Sequence, residues 1–246
     1  MSENKNSLPK AAFFWSGGKD SAYCLQKVLQ EKNYDVVYLI TTLSLPYRRI
    51  TMHGIKEELL EKQAQVIGIP LLKFFLSEGT NNEYEEKMNL VLNQLKEEGI
   101  ETVIFGDIFL EDLREYRENQ LKEIGMKAVF PLWKMDTTVL VNDFIKQGFE
   151  SVTCCVSDAF LDESFVGKKI DTSFLQKLPQ QVDKCGENGE FHSFCNAAPY
   201  FSEKIEIKVG EKLYKPLSIK ASSDCDLPSE NTVKGFWFAE LEMVEN

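Results

Sequence analysis

Lys19 and Asp20 stand in the run Ser16-Gly17-Gly18-Lys19-Asp20-Ser21, one cation and one anion beside two residues that carry no side chain. Glycine lets a backbone approach a ligand closely and adopt positive φ. N–H groups at the start of a helix favour an anion. Ser16 and Ser21 add hydroxyls and Lys19 a full charge, so the run reads as a phosphate cradle. Asp20 would repel a bare phosphate unless it caps the helix or holds a magnesium ion that bridges to it. The common P-loop pattern fails here, because Phe13 and Asp20 stand where it needs glycine and Ser or Thr.

Three other stretches offer chemistry. Asp107 in "ETVIFGDI" (101–108) is a second candidate magnesium ligand, and Arg114, Glu118 and Asn119 follow on a charged helix. Arg114 would neutralise charge building on a departing pyrophosphate; the plainer reading is a solvated helix of i,i+4 ion pairs. Arg48, Arg49 and His53 follow the second strand, where His53 would contact a nucleotide or carry a proton. Gly186-Glu187-Asn188-Gly189-Glu190 sets two acids on a glycine-held loop, flanked by Cys185, Phe191, His192 and Phe194. Such a pair would hold or deprotonate an ammonium ion, or position a cationic group against the aromatics.

These residues need a scaffold, and the chain alternates strand and helix patterns. Strands are expected at 11–15, 35–43, 70–76, 101–108, 127–132 and 151–156, and helices at 22–30, 55–67, 84–95 and 112–124. Val139, Leu140, Phe144 and Ile145 mark another helix. Alternation of this kind predicts βαβ units and a mostly parallel sheet, with ligands beyond the carboxyl ends of its strands. The rhythm fails after about residue 157, where 185–194 is turn-rich and 204–209 and 235–244 read as extended. The expected organisation is a nucleotide-type α/β domain over 1–133 and a smaller mixed domain over 134–246.

Composition narrows the partners. The 246 residues carry 28 basic and 39 acidic side chains, a formal charge of -11, which argues against nucleic acid and anionic membranes. The N-terminus has no apolar signal core and no run reaches membrane-span length, so a cytoplasmic protein is expected. Six cysteines without CxxC spacing, and two distant histidines, argue against zinc or iron–sulfur sites. Composition leaves the oligomeric state open.

The Ser16–Ser21 run resembles the pyrophosphate loop of the N-type ATP pyrophosphatases, which cleave ATP to AMP and pyrophosphate while adenylating an oxygen of the substrate. With "RRITMHGI" (48–55), "GDIFLEDLREYRENQL" (106–121) and "CGENGEFHSF" (185–194), the chain looks like the diphthine–ammonia ligase family from about residue 11 to 201. That resemblance implies a Rossmann-like, adenine nucleotide alpha hydrolase-like fold with a smaller α+β C-terminal part. It implies ATP and magnesium, ammonium as nitrogen donor, and a carboxylate acceptor, diphthine on elongation factor 2. It assigns Ser16, Gly17, Gly18, Lys19, Asp20, Ser21, His53 and Glu118 to the nucleotide. Lys19, Asp20, Arg114, Glu187 and Glu190 go to catalysis, and Asp20 and Asp107 to the metal. A corrinoid carboxylate in a bacterium, tRNA thiolation or lysidine-type modification, and a non-catalytic nucleotide sensor are the alternatives.

Overall fold

The computed structural model describes residues 8–50, 52–217 and 234–244; Thr51 and Cys225 lie outside the described residues. Runs rich in β-branched and aromatic residues form β1 (Lys10–Phe14), β2 (Asp35–Ser44), β3 (Leu71–Leu76), β4 (Thr102–Ile104) and β5 (Lys127–Val129). All pair in parallel, in the order β3-β2-β1-β4-β5. Between them run α1 (Lys19–Glu31), α2 (Glu57–Ile67), α3 (Asn81–Glu97) and α4 (Glu111–Glu123). This is the Rossmann-like α/β architecture that the alternation predicts. Strand order reverses at β1 and β4, so a crevice opens at their carboxyl ends.

Burial follows the sequence periodicity. Met88, Val91, Leu92 and Leu95 of α3 are buried with Ala12, Val103 and Phe105 on one face of the sheet, where Leu121 anchors α4. Ala22, Leu25 and Val28 of α1, with Leu59 and Leu60 of α2, join Ala11 and Phe13 in the core on the other face. Each such large apolar side chain contributes about 1.5–3 kcal/mol when fully buried. β4 is shorter than the 101–108 run. Beyond Ile104 the chain leaves the ladder to pass α1, and a Cβ on Gly106 would lie 3.3 Å from Ser21 Cα.

The second sheet is smaller and antiparallel. After α5 (Thr137–Lys146) come β6 (Glu150–Ser157), the short helix α6 (Thr172–Lys177), β7 (Phe191–Ala197), β8 (Ile207–Pro216) and β9 (Gly235–Met243). Their order is β7-β6-β9-β8. β7 emerges from the stretch read as turn-rich, and β6 closes the alternating series by pairing here instead of in the parallel sheet. The inner residues of β6 and β7, among them Val156, Phe191 and Phe194, continue the α1 side of the core. The five described cysteines are buried and free of disulfides.

Candidate active site

A cavity of about 740 Å³ opens at the carboxyl edge of β1 and β4. Ser16, Gly18, Lys19, Asp20 and Ser21 line it from one side, and Cys185 to Gly189 with Phe191, His192 and Ser193 from the other. Gly17 turns the chain at φ 76°, and a Cβ there would sit 2.7 Å from Leu60 Cδ2 and 2.9 Å from Gln63 Oε1. Only glycine fits that turn without strain or clash. Gly18 caps α1 without a side-chain acceptor; Gly18 N and Lys19 N donate to Ser16 Oγ and Ser193 Oγ, which leaves the N–H groups of Asp20 and Ser21 for an anion.

The turn is clamped from outside. Gln63 Nε2 donates to the carbonyls of Gly17 (3.0 Å) and Cys195 (2.6 Å), while Gln63 Oε1 accepts from Trp15 Nε1 at 2.9 Å. Cys195 N donates to Gly17 O at 2.8 Å, and Lys19 N to Ser193 Oγ at 3.1 Å. β7 of the second sheet thus fixes a turn of the first. Gln63 is fully buried and was missed from sequence. Its signal was a polar residue on the apolar stripe Leu59–Gln63–Val66 of α2.

Lys19 is 2% exposed, with Nζ 2.6 Å from Asp20 Oδ2 and also donating to the Cys185 carbonyl. Burial disfavours its charge, but Asp20, Cys185 and Glu187 together outweigh that and lift the ammonium pKa above the ordinary lysine value. Asp20 Oδ1 is a buried acceptor without a hydrogen-bond donor. Asp107 Oδ2 lies 2.9 Å from Arg117 Nη1, an ion pair without hydrogen-bond alignment. Burial raises the Asp107 pKa, Arg117 opposes that, and Asp20 adds to it. Two under-used carboxylate oxygens in one cavity suit a hard cation. No cluster of three or more His, Cys, Asp or Glu among the described residues could hold a metal alone. Magnesium would therefore draw its remaining ligands from phosphate and water, with Asp20 offering its unpartnered Oδ1.

Glu187 faces the same cavity, and its Oε1 accepts from Ile108 N at 3.0 Å. Burial, then the Asp20 charge, raises it to about 7, so it exchanges a proton near neutrality. His53 and His192 stack at 4.4 Å between ring centroids with 20° between planes. Burial lowers His53 to about 4 and takes His192 well below the ordinary imidazole value. Both are neutral at pH 7, which suits a flat binding wall and not the proton carrier that the sequence allowed for His53.

The structure departs from the sequence reading at several side chains. Glu190 is 1% exposed and outside the cavity wall; its carboxylate accepts from Asp183 N and Asn188 N, each at 2.9 Å. It shapes the loop and does not face a substrate. Arg114 and Glu118 pair at 2.7 Å, with the Arg114 guanidinium over Phe130 and Trp133 at 5.3 and 4.6 Å. α4 turns Leu113 and Arg117 to the cavity instead. Leu121 is the only described α4 residue that is buried, so no apolar stripe announced that rotation. Phe194 is buried away from the cavity, and the Phe191 ring already has Lys19 Nζ 5.4 Å from its centroid.

Residues 9–128 match the diphthamide synthase N-terminal domain family and residues 136–222 the diphthamide synthase C-terminal domain family. The diphthine–ammonia ligase of Rattus norvegicus is 25% identical over 232 residues, covering 82% of this chain and 84% of the rat protein. The Homo sapiens diphthine–ammonia ligase is 23% identical over 230 residues, with the same two shares. Among solved structures, the U34-tRNA thiolase NcsA from Methanococcus maripaludis, with its 4Fe-4S cluster, overlaps 56% of each chain at 19% identity. Its TM-score of 0.34 is too low for that overlap to bear on function.

Proposed function

The chain belongs to the diphthamide synthase family, and on that premise we propose that it adenylates a substrate carboxylate with ATP and then converts it to the amide with ammonia. Its relatives make it a ligase forming a carbon–nitrogen bond. The acceptor proposed is diphthine on elongation factor 2, the substrate that the relatives' name implies.

One observation carries the reading: the glycine turn and a carboxyl poised near neutrality line the same cavity. A carboxylate oxygen attacks the α-phosphorus and the bond to pyrophosphate breaks. The open N–H groups of the turn and Lys19 receive the departing charge. Magnesium, when bound at Asp20, supplies charge neutralisation across the phosphates. Ammonium gives a proton to ionised Glu187, and the resulting ammonia attacks the acyl carbon and expels AMP. Near its pKa of about 7 Glu187 can take that proton, release it to solvent, and accept the second proton that the nitrogen sheds as the amide forms. The histidine wall and Met52 bound the nucleotide side.

The test is a product assay with ATP, magnesium, ammonium and elongation factor 2 bearing diphthine. AMP, pyrophosphate and diphthamide should form in equal amounts. ADP as product, or AMP without amide, would overturn the reading.

A further inference from the structure

We propose that Arg117, assigned no role by the sequence motifs, grips the acceptor's carboxylate and forms a second cationic pole of the cavity. The inference rests on the ligase reading above. Adenylation must bring two anions together, a triphosphate and a carboxylate, so each needs a counter-charge. Lys19 and Arg117 are the two Lys or Arg residues among those lining the cavity. Lys19 belongs to the glycine turn and is engaged by Asp20 and the Cys185 carbonyl. Arg117 reaches the cavity from α4, on the opposite face of the parallel sheet from α1.

Its surroundings favour a carboxylate over a phosphate chain. The guanidinium lies 4.2 Å from the Phe105 ring centroid and 5.4 Å from that of Phe14, which fixes its plane. Asp107 meets Nη1, and no described residue hydrogen-bonds Nε or Nη2. A planar fork with unused donors matches a carboxylate with two parallel hydrogen bonds. Leu110, Leu113 and Phe14 stand in the same stretch of wall. They suit the aliphatic stem of a side-chain acid, whereas a triphosphate would be desolvated there without return. Arg117 is thus a specificity-determining residue, and Asp107 positions it.

The test compares Arg117→Met, which keeps length and apolar contact, with Arg117→Lys, which keeps charge without the fork. KM is measured for elongation factor 2 bearing diphthine, and calorimetry gives the Kd of magnesium α,β-methylene-ATP. Arg117→Met should raise the acceptor KM by about tenfold to a hundredfold while the analogue's Kd stays within about twofold. Arg117→Lys should recover part of the loss. An unchanged acceptor KM overturns the inference, and so does an analogue Kd that weakens by the same factor, since Arg117 would then serve the nucleotide. If Arg117→Met does not fold, Arg117→Lys decides: a raised acceptor KM supports the fork and a normal one overturns it. Wild-type protein that makes no amide from this acceptor defeats the functional reading and this inference together. Normal wild-type amidation with an indifferent Arg117→Met defeats the inference alone.

Discussion

The glycine turn at 16–21 and the acidic loop at 183–190 face each other across one cavity, yet their carboxylates are used differently. The turn is held by its own serine hydroxyls and clamped from outside by Gln63 and by Ser193 and Cys195 of β7, with no carboxylate bonded to its backbone. The loop bonds its backbone to its own carboxylates, with Thr137 donating to Asp183 from outside. Asp183 Oδ1 accepts from Cys185 N and Glu187 N at 2.8 and 3.2 Å, and Glu190 closes the other side through Asp183 N and Asn188 N. A loop that supplies its own acceptors can divide labour between two carboxylates three residues apart. Glu190 spends its charge on backbone N–H groups, which leaves Glu187 to face the cavity.

The largest blow to the comparison comes from Asp20→Asn. If the turn works through a metal-holding carboxylate, magnesium-dependent AMP formation falls by about a hundredfold or more in single-turnover measurements. A normal rate would take Asp20 out of the site. The two loop acids should then part company. Glu190→Ala removes the acceptor of two part-buried N–H groups and lowers unfolding free energy by about 1 kcal/mol or more in urea titrations. Glu187→Gln should keep its urea midpoint at pH 4 and lose amide product at neutral pH. Equal stability losses in the two variants would abolish the proposed division.

A subtler effect sharpens the same contrast through pH. The folded pKa of Glu187 is raised from an ordinary 4.5 to about 7, so between those values the folded state holds a proton that the unfolded state has released. Stability therefore falls as pH rises through this window. Glu187→Gln escapes that cost and should gain up to about 3 kcal/mol over the parent above pH 7, and almost nothing below about pH 4. Parallel stability curves for the two proteins would contradict the buried environment assigned to Glu187. Least affected of all should be Cys154→Ala: the thiol is buried in β6, remote from the cavity wall, and amide formation should stay within about twofold of the parent.

Legibility in the sequence tracked how each residue acts. The glycine turn at the start of α1 could be read because its shape is set by backbone, and a glycine pair followed by a helix records that directly. α3 could be read because its burial is one-sided. Arg114 was read toward the cavity that Arg117 lines, because α4 is polar all round and the spacing of Arg114 and Glu118 does not say which side meets the cavity. Glu190 was misplaced for a different reason: an acid that satisfies its own loop looks, as a letter, like an acid awaiting substrate. β7 hid behind the glycines that precede it, so the contact between the two sheets went unseen.

That contact has a bearing on how the chain can be divided. A fragment ending after β5 would retain every letter of the Ser16–Ser21 run, yet Cys195 and Ser193 would be gone and Gln63 would keep one carbonyl instead of two. Nucleotide recognition in such a truncation should weaken by more than the loss of His192 from the cavity wall accounts for. The shape of the turn is a joint property of segments some 130 to 180 positions apart in the chain.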